Sequence, residues 1–553
     1  MKNKYTLING VCLLLVMFFI CAQQANAKLL TVKTEKEGTL AEKIPGADKW
    51  DITELKVSGP LNGFDFRILR EMSGCNYLGE ETEGNLKKLD MTDVVIIGYD
   101  QSLPLDYQSY FISYETATTY VIGGDNYFND NLFYGCSKLE ELILPKMASV
   151  TKALTGMSNL KKISVSDESQ QLSVVDNVLY SKDKTKLLYA PVLSPETTLV
   201  IPAETETVCA NAFSWNVNLE SLVFPNVKCV QTDAIIYCQA LQSISFGKQL
   251  TELEDRSIFG NVRLQSVTVA EDNPYFQNIG TALVSKDLKV LYIFPLPDNV
   301  ENVTIPDGVM TVKSGALYSG NIRKAVLPNS VKQLDQYAIT NCINLESLYL
   351  GSGVEILLSD FAFNLSSLKE FVVDINNPNY QSVNGAIYSK NGKKCFMIPG
   401  GFSEFEIPEG TEELEMLCLG SVNNKIKTIT LPSTLKTCTT LCLSYTNLSA
   451  VNCKATVPPA GDYYPLPNYN VNNVILYVPK GTLSAYKQSP IWRIFTNMKE
   501  MDASGIEVVP ENDIYEVARY SVDGKQLPKE TNGLNIIKMS DGTVKKVWIS
   551  NHR

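Results

Sequence analysis

The sequence predicts a mainly β chain with short helical segments: a repeat solenoid with β-hairpin insertions, capped at both ends and followed by a small C-terminal β segment. Three observations predict it. An apolar pattern L-x-x-L-x-L, with other apolar residues allowed at each slot, recurs through most of the 553 residues. Its copies are separated by two recurring intervals, and a short polar motif returns every 104 residues. Self-similarity at a fixed period is the signature of a stacked repeat array.

Residues 1–27 read as a secretory signal peptide. Lys2 and Lys4 precede an apolar run from Val11 to Ile20, and Ala25-Asn26-Ala27 supplies an A-x-A cleavage pattern before Lys28. The run is too short to span a bilayer, which takes about 20 apolar residues. Lipid attachment at Cys21 is disfavoured by the bulky Phe18-Phe19-Ile20 before it. No later stretch approaches a membrane span. Removal of the segment takes away two lysines and no acid, moving the net charge from −11 to −13. So acidic a chain, without a basic stripe, repels phosphate backbones, and nucleic acid is excluded as a partner.

Residues 28–124, with "TELKVSGPLNGFDFRILREM" and "GNLKKLDMTDVVI", read as a mixed N-terminal cap that begins the leucine register. The first copy taken there is Leu86-Leu89-Met91. The solenoid proper is expected over 125–460. Its anchors are Leu139, Leu160, Leu219, Leu241, Leu264, Ile322, Leu345, Leu368, Ile426 and Leu448, separated by 21, 59, 22, 23, 58, 23, 23, 58 and 22 residues. The short interval is one repeat. Its last two apolar slots alternate with exposed positions, which is the period of a strand with one buried face. Upstream pairs such as Ala212-Phe213, Ala234-Ile235, Ala338-Ile339 and Ala362-Phe363 would fill the opposite side of each coil. A single repeat cannot bury enough to stand alone, so coils must stack and their strands pair in parallel.

The long interval contains an insertion with its own period. Tyr180-Ser181-Lys182-Asp183, Val284-Ser285-Lys286-Asp287 and Tyr388-Ser389-Lys390-Asn391 each sit between alternating apolar residues, and Asn391-Gly392 is a tight-turn signal. These predict three β-hairpin arms, one per superrepeat, after which Ile201-Pro202, Ile305-Pro306 and Ile407-Pro408 mark the return to the solenoid. Tyr275, Phe276 and Tyr380 are expected to pack on the hairpin base.

A C-terminal cap is expected over 461–503, with a helical pattern from Leu483 to Phe495 and Trp492 and Phe495 plugging the last coil. Residues 504–553 predict a tail of two or three short strands with turns at Asp523-Gly524 and Asp541-Gly542. Of 13 cysteines, Cys12 and Cys21 leave with the signal, and the remaining 11 are odd in number. Cys136, Cys238 and Cys342 recur in repeat register, which predicts one small buried apolar slot per repeat rather than disulfides. There is no C-x-x-C, and Cys438 and Cys442 are expected to pack rather than bind metal.

The stretches "LESLVFP", "NLESLYLGSGV", "NPYFQNIGTALVSKDLKVLYIFP" and "ILYVPKGTLSAYKQSPIWRIF" together resemble the BspA-like leucine-rich repeat proteins of bacterial surfaces, abundant in the Bacteroidetes. The resemblance covers about residues 125–500. It implies a right-handed leucine-rich repeat solenoid and an exported protein, at the cell surface, associated with the outer membrane, periplasmic or secreted, that binds host matrix, other cells or further ligands. It implies no catalytic residues. The tail resembles β segments appended to exported Bacteroidetes proteins, some of which act as sorting signals. One departure is that the first superrepeat lacks the Asn-Pro turn present at Asn273-Pro274 and Asn377-Pro378; Ala325 is a second, as a small core residue.

The sole histidine, His552, lies at the chain end, where no orienting partner would hold it, so histidine triads and histidine-built zinc sites are excluded. No phosphate-binding glycine loop is present, and no cofactor is expected. Asp125, Asn129 and Asp130 lack the spacing of a calcium loop and read as a solvated turn. Carboxylate pairs are the one catalytic device left: Glu140-Glu141, Glu412-Glu413 and Glu252 to Asp255 would serve a glycan hydrolase, but all occupy exposed repeat slots. What remains is a surface. Outward strand positions carry Ser221 and Val223, Ser243 and Ser245, Ser266 and Thr268, Ser347 and Tyr349, and Thr428 and Thr430. The expected activity is therefore non-catalytic recognition of a protein or glycan by Ser243, Ser245, Ser266, Thr268, Ser347, Tyr349, Thr428 and Thr430. A glycan hydrolase and a purely structural envelope component are the alternatives. Hydroxyls also sit comfortably on exposed strands that bind nothing.

Overall fold

A computed structural model describes residues 28–97, 132–150, 154–461 and 471–501, except 45, 47, 319, 359, 420–424, 445–446 and 462–464. It also describes 465, 516–521, 525–527, 529, 531–539 and 544–549, and short strands at 111–112 and 119–120. Strands take up 36% of the chain and helices 6%, so the protein is mainly β. The described residues fall into two compact units. One runs through Phe402 and includes Glu415–Lys425 and Cys442–Asn447; the other comprises Ser403–Leu414, Ile426–Leu441 and the residues from Leu448 onward.

The first unit opens with a parallel sheet in the order Leu29–Lys33, Glu54–Leu61, Lys88–Ile96, Glu141–Leu144, Lys162–Val165. The leucine register therefore begins earlier than Leu86. Ile52, Leu55 and Val57 fit the same pattern and are as buried as Leu89 and Met91. Helix Gly63–Met72 follows this coil, started by a capping box between Asn62 and Asp65. The Asp65 carboxylate, itself buried, also accepts from the backbone N–H groups of Gly38 and Leu40 at 2.6 and 2.9 Å, tying the first coil to the helix start.

Each full coil further on has three short strands, and each strand stacks in its own parallel sheet. Ser221–Phe224 pairs with Ser243–Phe246, Cys229–Val230 with Glu252–Leu253, and Ile235–Ile236 with Ile258–Phe259. The same three walls recur at Lys324–Leu327, Gln333–Leu334 and Ile339–Thr340. The middle wall, holding Val230 and Leu334, has only two residues per coil, too short for periodicity to expose. Leu222, Val230 and Ile235 point into one core with Ala234, and even Ala325 is buried.

The cysteine slot does more than fill space. Cys238 Sγ donates to Phe213 O at 3.0 Å, one coil back, and Cys342 Sγ makes the equivalent contact to Leu317 O at 3.8 Å. Asn216 and Asn261 occupy the same slot in neighbouring coils and donate to Pro191 O and Ile235 O. The slot is thus a buried hydrogen-bonding position that accepts Cys or Asn, not a merely apolar one. Burial pushes the Cys136 and Cys238 thiols up to about 12, so both remain protonated donors. The 11 cysteines from Cys75 to Cys453 are thiols rather than disulfides.

The expected hairpin arms are instead three-stranded antiparallel meanders. The first comprises Leu172–Val175, Val178–Ser181 and Lys186–Tyr189; the second Phe276–Ile279, Ala282–Ser285 and Val290–Ile293; the third Tyr380–Val383, Ala386–Ser389 and Lys394–Met397. They do not project. In the middle strands Val178-Leu179-Tyr180, Ala282-Leu283-Val284 and Ala386-Ile387-Tyr388 are buried throughout, and in the first two meanders the last strand re-enters the stack, pairing in parallel with Thr207–Val208 or Thr311–Val312. Asn177, Asn278 and Ser382 fasten the first turns to the preceding coil: their side-chain oxygens accept from Ile163 N, Val269 N and Val373 N. Phe276 and Tyr380 pack at the base as expected, but Tyr275 is 54% exposed because strand alternation turns it outward from buried Phe276.

The missing Asn-Pro turn is explained by its replacement. Asn273 and Asn377 each accept two backbone N–H bonds and donate to carbonyls of the previous coil. In the first superrepeat, buried Ser169 accepts from Gln171 N and Leu172 N, reproducing the accepting half with its hydroxyl.

The recurring S-K-D motif closes the second meander turn. Asp183 Oδ1 accepts from Ser181 Oγ, Thr185 N and Thr185 Oγ1 at 2.6–3.0 Å, and these bonds hold its carboxyl at about 2. Asn391 makes the corresponding contacts to Ser389 Oγ and Lys393 N without a charge. Because Asp183 is depressed on folding, its contribution is complete above the unfolded value near ~3.9 and is lost as pH falls from about 4 toward 2. Asp183→Asn is expected to keep the turn and remove its acid sensitivity, which amide exchange at Thr185 across that range would reveal. An unchanged acid transition would contradict this role.

The second unit has a parallel sheet in the order Glu404–Glu406, Thr428–Leu431, Ala450–Cys453, Ile475–Val478, Asn497–Glu500. The expected helix over 483–495 is broken. An α-helix spans Leu483–Gln488, and a 3-10 turn spans Trp492–Ile494. Pro490 lacks the N–H and restricts Ser489 to extended geometry, which ends the helix. Trp492 is fully buried, its Nε1 donates to Pro459 O at 2.8 Å, and its ring stacks on Phe495 and meets Tyr486 edge-on. The tail forms four antiparallel strands, in the order Gln526–Leu527, Glu516–Tyr520, Gly533–Met539, Val544–Ile549. The signal segment, Asp125, Asn129 and Asp130, the tail's two Asp-Gly turns and His552 lie outside the described residues.

Candidate functional site

The strand positions expected to form one broad hydroxyl face are distributed over three separate sheets. In the first, pairing places Ser221, Ser243 and Ser266 in one column and Val223, Ser245 and Thr268 in the next. Ser243 Oγ donates to Ser221 Oγ at 3.0 Å, and Thr268 is exposed. Here five hydroxyls do come together on a face of adjacent strands.

In the second sheet they do not. Ser347 lies between Lys324 and Glu370, and Tyr349 between Val326 and Val372. Ser347 Oγ donates to Glu370 Oε1 at 2.9 Å, and the Tyr349 hydroxyl donates to Asp374, holding that carboxyl below its usual range. In the third sheet Thr428 sits between Glu404 and Ala450, and Thr430 between Glu406 and Asn452, whose amide donates to the Thr430 hydroxyl at 3.3 Å. The last two pairs are parts of local polar networks.

Of the carboxylate candidates, Glu140, Glu141 and Glu412 are held in coil-to-coil ion pairs. Glu140 bridges Lys87 and Lys161, Glu141 bridges Lys88 and Lys162, and Glu412 pairs with Lys436. The lysines hold the Glu140 carboxyl below the ordinary range, opposite to what a general acid needs. Glu254 accepts from Thr232 N and Oγ1. These exposed pairs contribute about 0–1 kcal/mol each and serve register more than stability. Among the described residues no group of three or more His, Cys, Asp or Glu is arranged to hold a metal ion.

The third wall carries a feature that leucine periodicity did not single out. Aromatic rings climb it from coil to coil. Trp215 stacks on Tyr237 with centroids 4.5 Å apart, Tyr237 meets Phe259 at 5.8 Å, and Phe259 meets Tyr318 at 5.7 Å. Trp215 is the exposed end of this ladder, at 54%. Next to it lies a cleft of ≈ 630 Å³, lined by Trp215 and Tyr134 and floored by buried Tyr189. Aligning the residues before each leucine anchor, rather than the anchors themselves, would have exposed this column.

Stacked coils with three parallel walls and leucine-anchored strands define a leucine-rich repeat solenoid. The family described as BspA type leucine rich repeat region (6 copies) matches residues 108–184, 195–287, 291–391 and 389–478, and the chain belongs to that family. No curated protein matches the sequence significantly. Solved structures similar to the chain include a leucine rich cell surface protein from Faecalibacterium prausnitzii, 16% identical, covering 59% of this chain and 76% of that one with a TM-score of 0.33. A leucine-rich repeat protein from Eubacterium ventriosum is 17% identical over 65% and 95%, with a TM-score of 0.31. The pneumococcal vaccine antigen PcpA is 14% identical over 82% and 80%, also at 0.31. At these scores the likenesses carry no argument about function. Among the described residues, no helix is long and apolar enough to cross a membrane.

Proposed function

We propose that the protein is a non-catalytic, exported binding protein of the bacterial cell surface that recognises a protein or glycan through the face of strands Ser221–Phe224, Ser243–Phe246 and Ser266–Val269. The observation that carries this reading is the double column Ser221-Ser243-Ser266 and Ser245-Thr268, part-exposed hydroxyls on adjacent strands. Rigid neighbouring strands hold such donors and acceptors at fixed spacing, so little ordering entropy opposes binding. Glu140, Glu141 and Glu412, considered for catalysis, are instead engaged in holding coils together. The surface location is supported by the N-terminal signal pattern.

The test is a screen of the mature protein against matrix proteins and a glycan array, repeated with Ser245→Lys/Thr268→Lys. Affinity for the ligand found should fall by at least ~10-fold, since two bulky cations would occupy the columns. Tyr349→Lys, in a different sheet, should leave it unchanged. Undiminished affinity in the double variant would remove the assignment of this face.

A further inference from the structure

We propose that the cleft between Tyr134 and Trp215 is a binding site for the pyranose ring of a neutral sugar. The second superrepeat shows why the cleft exists, because there the equivalent position is sealed. The Phe259 ring rests directly on Gly315, where a Cβ would lie 2.4 Å from it, and packs edge-on against Tyr318. On the 104-residue period, which also brings the bond from Phe213 N to Ala234 O onto that from Leu317 N to Ala338 O, Thr155 stands in the first superrepeat where Phe259 stands in the second. Asn211 replaces Gly315, and Ser214 replaces Tyr318. Two rings and a glycine become three small polar side chains, and all three line the opening.

The chemistry of the lining selects the ligand. Thr155, Ser158, Asn211, Ser214 and Gln239 offer hydroxyl and amide groups, and among the described residues no charged side chain lines the cleft, although a fifth of the chain is charged. Burial raises the Tyr189 phenol, so the floor is neutral as well. A cleft of this size, part aromatic with a few convergent uncharged polar groups, suits a small ring bearing hydroxyls at its edge and C–H groups on its face. Trp215 supplies the flat platform. Its ring is backed by Tyr237, and its backbone, at φ 63°, is held by an N–H bond to Ile236 O at 2.9 Å. A platform already rigid loses little entropy on binding. Among the described lining residues an anion would find no cation.

This site is separate from the strand face and does not depend on it. The experiment titrates the mature protein with lactose, cellobiose and N,N′-diacetylchitobiose, following tryptophan fluorescence and calorimetry, with 3′-sialyllactose as the anionic comparison. Saturable binding of at least one neutral disaccharide is expected, with a Kd on the order of 0.1–1 mM. It should weaken at least ~10-fold in Trp215→Ala. It should vanish in Thr155→Phe/Asn211→Gly/Ser214→Tyr, which copies the sealed arrangement. Ser245→Lys/Thr268→Lys should bind the sugar normally, which separates this site from the strand face. The proposal is overturned if none of the three neutral sugars binds, if sialyllactose binds more tightly than lactose, or if affinity in Trp215→Ala falls by less than ~10-fold. That last variant removes an exposed ring and decides the matter even if the triple variant does not fold.

Discussion

Trp492→Ala is expected to destabilise the second unit by about 3–5 kcal/mol, the usual range for truncating a fully buried aromatic side chain. The substitution removes the stacked contact to Phe495 and the edge contact to Tyr486, and leaves Pro459 O without the indole N–H. In a stacked array such losses stay local before they become global, because each coil is supported mainly by its neighbours. Amide protection should therefore fall first in Asn497–Glu500 and Ile475–Val478, while strands of the first unit keep theirs. Trp492→Phe, which retains most of the ring, should lose only about 1 kcal/mol with the hydrogen bond. Unchanged protection in Trp492→Ala would mean that the ring does not close this end of the sheet.

The second large effect is expected at Asn377. Its side chain is fully buried and makes four hydrogen bonds: Oδ1 accepts from Asn379 N and Tyr380 N, each at 2.8 Å, and Nδ2 donates to Gly351 O and Val354 O at 3.2 and 3.0 Å. Asn377→Ala leaves two N–H groups and two carbonyls without that partner. Unsatisfied buried groups cost ~1–3 kcal/mol each, and partial relaxation should bring the total to about 3–5 kcal/mol. Asn377→Ser should fall between wild type and Ala, because the hydroxyl of Ser169 serves the accepting half of this role in the first superrepeat. Thermal melting of the three proteins checks the order. Equal destabilisation by Ser and Ala would show that the donating half alone matters.

These two residues also show what could and could not be read from the sequence. Trp492 was legible as a plug because a large apolar residue beyond the last leucine anchor has few other places to go. Asn377 was visible only as a turn marker, since nothing in one dimension shows that its amide reaches 26 residues back to Gly351. The stacking itself was legible from the 22–23-residue spacing of anchors, and that spacing is the register with which Ile244 faces Leu222 on one side and Val267 on the other. The insertions were placed correctly but taken for projecting arms. Alternation marks a strand without telling whether its second face meets solvent or, as with Val178-Leu179-Tyr180, another layer. The candidate surface was half legible for the same reason. Ser243 and Ser266 do become neighbours, while Ser347 and Tyr349 are claimed by Glu370 and Asp374, partners that no repeat pattern announces. The aromatic cleft escaped altogether, because it results from what Thr155 and Ser214 fail to fill.

The buried thiols that link one coil to the next have a consequence for where such a chain can mature. Among the described residues no covalent cross-link closes any loop, and Cys136, Cys238 and Cys342 act through an S–H that oxidation would abolish. Burial, which raises the Cys136 and Cys238 thiols, denies an oxidant the thiolate it needs there. With all 11 described cysteines kept as thiols, such a scaffold draws none of its stability from disulfides and its folding needs no oxidising machinery.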